Sequence, residues 1–368
     1  MQNYQNNPHH NKENLNIINI SNKVENGDNN MEIEITNSSN QLIASGATNY
    51  SNNTNCSLES NNININNNYN TNYLLYPDTN IIINLQNSNQ SNEQKSIFNF
   101  KFESNGEYIS YVGEYLEEIY SNLLFDEKIL KFKPNFGYMN LQNDINEQMR
   151  AILIDWLIEV HYRFRLKNET LFQTVWIIDT YLSYQQITRA KLQLLGIASL
   201  LISCKSQEIY YPQLKEFIDI TDGAYEKEEL VTMENNILKI LNFNIVSPTP
   251  NDFFNIISKA FNFDKKQNYL GRYFLESALI DYQMIKFSPS VIAVSCVYIV
   301  MKYFGISNYK ILYTNDFVRE ECPQKAIKDT ARTIYFLVKN LSQSSLKAVK
   351  DKYSLSQFLN VAQYCELK

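Results

Sequence analysis

Residues 149–161 read Met-Arg-Ala-Ile-Leu-Ile-Asp-Trp-Leu-Ile-Glu-Val-His, and this stretch decides the fold. If it forms a helix, apolar side chains recur at three- and four-residue spacing around most of its circumference. One stripe consists of Ile145, Met149, Ile152, Trp156, Val160 and Phe164, and it is widened by Leu153, Ile154, Leu157 and Ile158. Because so apolar a helix belongs in an interior, we predict that it is the central helix of a helical domain. Trp and Met side chains also form docking pockets where part of such a helix stays uncovered.

The composition supports a mostly helical protein. Nine glycines among 368 residues are few for a Rossmann or phosphate-loop enzyme, and the net charge of −6 gives no reason to expect a nucleic-acid partner. The five cysteines lack paired spacing and are expected to be reduced thiols, as in a cytosolic or nuclear protein. No secretory signal and no membrane span are expected, because the first residues are polar and the longest apolar stretch, 291–304, contains Lys302.

The first 105 residues differ from the rest of the chain. Asn, Ser, Gln and Thr dominate them, with runs such as Asn-Asn-Ile-Asn-Ile-Asn at 61–66, and no arginine precedes Arg150. Such a segment cannot bury enough apolar surface to offset the entropy of ordering it. We therefore predict that residues 1–105 form a disordered tail.

Helical periodicity begins near Glu107 and continues toward the C-terminus. Thr249-Pro250 and Ser288-Pro289 each place a capping residue before a proline at the first helical position. The first series of predicted helices spans about Glu107–Glu127, Asn143–Leu166, Glu169–Tyr184, Thr188–Lys205, Tyr211–Ile220 and Tyr225–Leu241. The second spans about Pro250–Phe261, Lys265–Tyr282, Pro289–Phe304, Pro323–Leu341 and a short pair near the C-terminus. The prediction is an all-α fold of two consecutive five-helix modules, the first with an N-terminal helix at 106–246 and the second at 247–368.

Several blocks of this chain resemble the cyclin box of mitotic, A/B-type cyclins, and residues 161–170 are closest to the B type. In the first module the blocks are residues 149–161, 168–171, 191–196 and 217–222, and in the second they are residues 279–282 and 288–290. The resemblance implies two five-helix cyclin-box repeats, which agrees with the helix count. It also implies an activating subunit of a cyclin-dependent kinase that controls G2/M progression in nucleus and cytoplasm, without catalytic residues, metal or cofactor of its own.

The resemblance places the central kinase contacts on Lys205 and Glu234, which in relatives hydrogen-bond backbone around the kinase's mobile helix. Their alternatives are a cation that the helix dipole favours at a helix C-terminus, and an ordinary solvated carboxylate. The apolar kinase-facing surface is matched by Leu238, Phe243, Ile245 and Ile119. For these four residues, simple core packing is the alternative.

The chain departs from the family directly after Lys205. Relatives usually continue with Phe or Tyr and two glutamates, whereas this chain has Ser206, Gln207 and Glu208. Only Glu208 remains as a kinase-binding candidate. Loss of the aromatic side chain could weaken the interface by ~1–3 kcal/mol, or it could indicate an atypical kinase.

The resemblance also implies a shallow patch that docks Arg-X-Leu segments of substrates and inhibitors. Its apolar floor and polar edge are matched by Met149, Ile152, Leu153, Trp156, Glu159 and Gln193, with Glu159 receiving the basic residue. The alternative is that the four apolar residues are fully buried. Since one helix face cannot do both jobs, Ile154 and Leu157 are expected to face the core.

Two further features follow from the resemblance. Arg150 and Asp179 match an internal ion pair between the first two helices of the module, which would be costly to break by removing one partner. In the tail, Lys12-Glu13-Asn14 resembles the KEN box through which the anaphase-promoting complex marks mitotic cyclins for destruction. The alternative is a chance match in an asparagine-rich segment.

Other functional classes have less support. The three histidines offer no metal cluster, and His161, at a helix end, is expected to be a capping or surface residue. A transcription factor with the same double repeat would carry a basic DNA-facing surface, which this acidic chain lacks. A kinase-independent helical adaptor stays the main alternative.

Overall fold

The computed structural model describes residues 16–19, 34–37, 115–131, 133–310, 312, 322–341 and 343–366. By its internal contacts the chain divides into one unit of residues 1–16 and 37–93 and another of residues 17–36 and 94–368. All helices with described bounds belong to the second unit. The predicted disordered tail, apart from two short strands, and the KEN match at 12–14 lie outside the described residues.

Two four-residue strands lie in the tail, β1 at Asn16–Asn19 and β2 at Glu34–Asn37, and they pair as a two-stranded sheet. The sequence does not predict them, because Asn and Glu interrupt the short Ile- and Thr-containing stretches from which they form. They are the one departure from helix among the described elements of regular structure.

The first repeat and its N-terminal helix are entirely helical, as predicted. The elements are α1 (Leu116–Ile129), a 3₁₀ turn (Tyr138–Leu141), α2 (Glu147–Phe164), α3 (Asn168–Tyr184), α4 (Arg189–Gln207), α5 (Leu214–Asp219) and α6 (Lys227–Ile240). The five helices from α2 to α6 agree with the five predicted there. Their bounds differ by up to four residues, and α1 is described only from Leu116.

The second repeat is also helical over its described residues. Its elements are α7 (Pro250–Ala260), α8 (Lys265–Ile280), a 3₁₀ turn (Tyr282–Lys286), α9 (Pro289–Tyr303), a 3₁₀ turn (Ser307–Lys310), α10 (Gln324–Leu341), α11 (Ala348–Tyr353), a 3₁₀ turn (Ser356–Phe358) and α12 (Val361–Glu366). The prediction of an all-α fold is confirmed for the described body of the chain.

The central helix α2 starts and stops at sequence-encoded signals. The Asn146 side chain caps it by accepting a 2.9 Å hydrogen bond from the Met149 N–H. Arg165 ends it in the left-handed conformation, with a φ of 55°. Inside the repeat, α2 packs closely on α4 at Gly196, where a Cβ would lie 2.8 Å from the Leu153 side chain. A side chain at this position would require the end of the Leu153 side chain to shift.

Side chains from the N-terminal part of the body attach the second repeat. The Glu127 carboxylate at the end of α1 accepts hydrogen bonds of 2.8 and 2.7 Å from the N–H and Oγ of Ser290, at the start of α9. The Tyr282 hydroxyl accepts from the N–H groups of Gly137 and Met139 in the first 3₁₀ turn. Ser288, expected to cap α9, makes no side-chain cap bond, and Glu127 supplies that anchor instead.

Candidate functional site

Lys205 and Glu234 meet on the surface of the first repeat. Lys205 lies in the last turn of α4 and Glu234 in the middle of α6, and their Nζ and Oε1 atoms are 2.6 Å apart. The Lys205 side chain is 39% exposed and that of Glu234 is 12% exposed. The two residues that the resemblance singled out, 29 positions apart in the chain, therefore form one polar feature that a partner can reach.

Apolar side chains are exposed in the segment after α6 and on α1. Phe243 and Val246, which follow α6, are each 69% exposed, and Ile119 on α1 is 40% exposed. Leu238 and Ile245 are only partly buried and pack on the edge of the core. Of the predicted apolar contacts, Phe243 is thus the most available to a partner.

The loop after α4 adds two apolar residues that sequence reasoning missed. Ile209 is 80% exposed and Tyr210 is 93% exposed, and both lie within five residues of Lys205. Periodicity could not find them because they belong to no helix. The available signal was an apolar pair placed between a helix end and Pro212, where no core position is expected.

The two departures from the family motif share one buried partner, Gln173 on α3. The Gln173 Nε2 donates a 2.8 Å bond to the Ile245 carbonyl and a longer one of 3.4 Å to the Ser206 Oγ. The Gln207 Nε2 donates a 2.7 Å bond to the Gln173 Oε1. The corner beside Lys205 is therefore polar, and its hydrogen bonds fix the end of α4 to the segment that links the repeats.

Glu208 has an internal role. Its Oε1 accepts hydrogen bonds of 2.7 Å from the Lys167 N–H and 2.5 Å from the Thr170 hydroxyl, both at the start of α3. The carboxylate thus satisfies one backbone N–H at the N-terminus of the helix, where such donors lack a partner within the helix, and one side-chain hydroxyl. The structure thus places Glu208 next to the candidate surface while engaging its carboxylate within the repeat.

Arg150 and Asp179 form a bidentate ion pair in the interior. The Arg150 Nε and Nη2 lie 2.6 and 2.7 Å from the two Asp179 oxygens, and the Tyr138 hydroxyl donates a 2.8 Å bond to the same carboxylate. The Arg150 Nη1 also donates to the carbonyls of Leu279 and Ile280, at the end of α8. Burial alone would lower the pKa of Arg150, but the Asp179 carboxylate raises it above its usual value. The guanidinium thus joins the two repeats as well as α2 and α3.

Most apolar side chains of the predicted docking patch are buried. Met149, Leu153 and Trp156 are 6%, 4% and 4% exposed, whereas Ile152 and Gln193 are partly exposed. Ile154 and Leu157 are fully buried, as expected for the side of α2 that faces the core. The surface that remains open for a docking segment therefore centres on Ile152 and the polar residues beside it.

Carboxylates gather at one edge of this surface. Burial raises the pKa of Asp155 to about 7, and the charges of Glu159 and Asp351 add to the rise, although the Ala348 N–H opposes it through a 3.1 Å bond. Burial, with a smaller contribution from Asp351, also raises the pKa of Glu159. Crowded carboxylates that resist ionisation would be relieved by a bound cation.

The expectation that His161 is a capping or surface residue is wrong. His161 is 3% exposed, and its Nε2 lies 2.8 Å from the Lys167 carbonyl, which fixes Nε2 as the protonated nitrogen. Burial, reinforced by the Lys352 ammonium, lowers its pKa to about 4. Lys352 itself is buried against Glu276, with its Nζ 2.7 Å from Oε1. A helix-end position does not reveal that α11 covers it.

The described residues contain no group of three or more His, Cys, Asp or Glu side chains arranged to hold a metal ion. Within the same ranges, no helix combines the length and apolar character needed to cross a membrane.

Comparison with known proteins identifies the two repeats. Residues 118–246 match the family model for the cyclin N-terminal domain, and residues 248–367 match that for the cyclin C-terminal domain. A G2/mitotic-specific cyclin-B of Hydra vulgaris is 37% identical over 258 residues, which cover 70% of this chain and 69% of that protein. The chain belongs to the cyclin family. Cyclins are regulatory subunits and not enzymes themselves, so the family agrees with the regulatory role expected from the sequence.

Other relatives set the extent of the likeness. The rice cyclin-B2-1 is 40% identical over 221 residues, which cover 60% of this cyclin and 52% of the rice protein. A viral cyclin from herpesvirus saimiri has a similar fold, with a TM-score of 0.53 at 20% identity, over 60% of this cyclin and 96% of the viral chain. This cyclin therefore spans about half to two thirds of the length of these B-type relatives, and the viral structure supports its fold.

Proposed function

We propose that this cyclin binds and activates a cyclin-dependent protein kinase, recruits its substrates and thereby controls G2/M progression. The observations that support the proposal are the Lys205–Glu234 ion pair, whose lysine is partly exposed, and the exposed Phe243 in the segment after α6. An exposed ion pair contributes at most about 1 kcal/mol to folding, so stability alone does not account for it. Exposed aromatic and charged groups side by side are typical of protein interfaces.

The proposed mechanism requires no chemistry from the cyclin. It binds beside the mobile helix of the kinase and holds it inward, so that a glutamate on that helix pairs with the phosphate-positioning lysine. The cyclin favours the active kinase because it binds that state better. Lys205 and Glu234 would hydrogen-bond backbone around the helix, while Phe243, Ile245 and Ile119 would pack against it.

The test replaces both polar residues, Lys205→Ala with Glu234→Ala, in the full chain. The variant is expected to keep its fold and to lose co-purification with a kinase and the accompanying histone-kinase activity. The matched control removes another exposed ion pair, Arg332–Asp329 on α10, where the atoms are 3.1 Å apart. If the wild-type chain captures no kinase, a kinase-independent adaptor replaces this proposal; if the double variant still activates, the surface has been assigned wrongly.

Substrate recruitment is proposed for the surface around Ile152, Glu159 and Gln193. An Arg-X-Leu segment would place its apolar residue near Ile152 and its arginine at Glu159, where neighbouring carboxylates strengthen the attraction for a cation. Because Met149, Leu153 and Trp156 are almost covered in the free chain, the docked leucine would need them to shift slightly. Binding of an Arg-X-Leu peptide, compared with one in which both residues are alanine, tests this role.

Regulated destruction is proposed for Lys12, Glu13 and Asn14, through the anaphase-promoting complex. The support is the match itself, in an Asn-rich segment with few apolar residues. Replacing all three residues by alanine is expected to lengthen the protein's half-life through mitotic exit, and unchanged turnover would refute the role. We also propose that the protein, bound to its kinase, resides in both nucleus and cytoplasm. Imaging of a tagged chain in cycling cells tests this localisation.

A further inference from the structure

A cleft of about 400 Å³ lies between the two repeats, and neither Lys205 nor Glu234 lines it. Its walls come from α3, the end of α8, the start of α9 and the segment 247–250 that connects the repeats. Glu127 at the end of α1, with Leu130, Lys133, Pro134 and Phe136, forms its remaining side. Ligand sites in proteins typically measure about 300–1,000 Å³ and occur preferentially where two domains meet.

The interior of the cleft is mainly apolar. Trp176 from the first repeat lines it together with Leu275 and Ala278 from the second. Pro248 and Pro250 line one wall, and their nitrogens carry no hydrogen-bond donor. An occupant must therefore be apolar over most of its surface.

Some charged side chains of the cleft are hydrogen-bonded within the chain, and others make no ion pair there. The Glu127 carboxylate binds the Ser290 N–H and hydroxyl, and one Asp281 oxygen accepts a 2.8 Å bond from the Gln283 N–H. Lys133 and Lys286 are exposed, and within the described ranges no carboxylate lies within ion-pair distance of either. The Lys286 Nζ lies over the neighbouring Phe287 ring, 4.9 Å from its centre. The rim thus has two ammonium groups available to an anion.

We propose that the cleft binds a small amphipathic organic anion. Its flat apolar body would lie against Trp176 and Ala278, and its acidic group would lie between Lys133 and Lys286. Because both repeats contribute walls, an occupant would stabilise their contact. This site is independent of the proposed kinase-binding surface, and its test uses the chain without a kinase.

The probe is 8-anilinonaphthalene-1-sulfonate, an aromatic sulfonate, titrated into the full chain under native conditions. The chain has two tryptophans, Trp156 and Trp176, and only Trp176 lines the cleft. In a Trp156→Phe background, saturable binding of one probe molecule per chain should quench Trp176 emission by energy transfer. The thermal unfolding midpoint should rise with probe concentration, as for any ligand that binds only the native state.

Two variants fill the cleft and two pairs of lysine substitutions test the rim. Ser247→Phe lies in a segment without regular structure, and Ala278→Phe lies on α8. Either substitution should abolish saturable binding, and Ser247→Phe decides the result if Ala278→Phe does not fold. Replacing Lys133 and Lys286 by alanine should weaken sulfonate binding about tenfold, the effect of losing ~1.4 kcal/mol. The same change at the exposed Lys325 and Lys347 should leave it unaltered.

A neutral analogue, N-phenyl-1-naphthylamine, separates the apolar and charged parts of the proposal. It should bind the wild-type chain more weakly than the sulfonate does. Its affinity should not change when Lys133 and Lys286 are replaced by alanine. Absence of saturable sulfonate binding, or binding that survives Ser247→Phe in a folded chain, would overturn the proposal. Equal weakening by both lysine pairs would show that the anion responds to overall charge and would also overturn it.

Discussion

Arg150 binds both carboxylate oxygens of Asp179, at 2.6 and 2.7 Å, and both residues are almost completely buried. The third guanidinium nitrogen reaches two carbonyls at the end of α8, in the other repeat. Those carbonyls are among the acceptors that every α-helix leaves unpaired at its C-terminus. The Arg150 side chain therefore joins α2 to α3 in the first repeat and caps α8 of the second.

Replacing Arg150 by methionine should destabilise the protein more than an ordinary core substitution. It would leave the Asp179 carboxylate buried with the Tyr138 hydroxyl as its remaining side-chain donor, and loss of one partner of a buried pair costs about 3–5 kcal/mol. Urea denaturation measures the loss. The transition should also broaden or split, because the capping bonds to α8 disappear.

The double variant Arg150→Met with Asp179→Leu provides the internal control. Removing both charges avoids an uncompensated carboxylate, so the double variant should be more stable than Arg150→Met alone. Equal or greater destabilisation by the double change would mean that packing around the pair, and not the orphaned charge, sets the cost.

The local part of this architecture can be predicted from sequence, because helix signals act over a few residues. The Thr249-Pro250 start and the apolar periodicity of α2 are visible in the chain, although the Asn146 cap lies three residues inside the start predicted at Asn143. The contacts that join the repeats are not, because Glu127 and Ser290 are separated by 163 positions. The Lys352–Glu276 pair cannot be predicted for the same reason, because its residues are 76 positions apart.

His161 should make the protein sensitive to acid. Its pKa is lowered from 6.5 to about 4 by burial and by the Lys352 ammonium, so the folded state excludes a proton that the unfolded chain accepts. The resulting stability is fully present above pH 6.5 and is lost as pH falls toward 4. His161→Gln keeps a donor for the Lys167 carbonyl and removes the titration. Between pH 7 and 4, the free energy of unfolding of this variant should fall by about 2–3 kcal/mol less than that of the wild-type chain.

Asp155 should make the pH dependence of stability run in the opposite direction to that of His161. Its pKa is raised from 3.8 to about 7, chiefly by burial, so the folded state retains a proton that the unfolded chain releases. Stability from this group is greatest below pH 4 and declines as pH rises toward 7. Asp155→Asn keeps an acceptor for the Ala348 N–H and should raise the free energy of unfolding at pH 8 by about 1–3 kcal/mol.

Asp144 is the matched control for this substitution. Hydrogen bonds from the Arg189 backbone and side chain lower its pKa, so its ionised form favours folding. Asp144→Asn should therefore reduce stability at pH 8, where Asp155→Asn increases it. A pH profile in which both substitutions moved stability in the same direction would contradict the assigned causes of the two shifts.

The resemblance could name candidate site residues, but neither their contacts within the chain nor their accessibility. In the structure Lys205 and Glu234 form an ion pair, whereas the resemblance named them only as separate kinase contacts. It could not reveal that Glu208 caps α3 or that Gln173 holds the polar corner, because both depend on contacts across 30 or more positions. Exposure of Tyr210 likewise depends on the path of a loop without periodicity.

If an Arg-X-Leu segment docks at Glu159, its affinity should rise with pH. Burial and the Asp351 charge raise the pKa of Glu159, and an arginine binds the ionised carboxylate, so docking must release any proton held there. Between pH 5 and 8 the Kd of such a peptide should fall by a few-fold, on the order of 1 kcal/mol. Fluorescence anisotropy of a labelled peptide measures it.

Two variants assign the proton in this docking reaction. Glu159→Gln should weaken binding at pH 8 and abolish most of the pH dependence, whereas Asp155→Asn should leave the dependence on Glu159 in place. A citrulline in place of the peptide's arginine should lose the same pH dependence, because it keeps the shape and the hydrogen-bond donors without the charge. If the citrulline peptide tracked pH as steeply as the arginine peptide, the proton would belong to a conformational change at α11, where Asp155 binds the Ala348 N–H, and not to an ion pair with the motif.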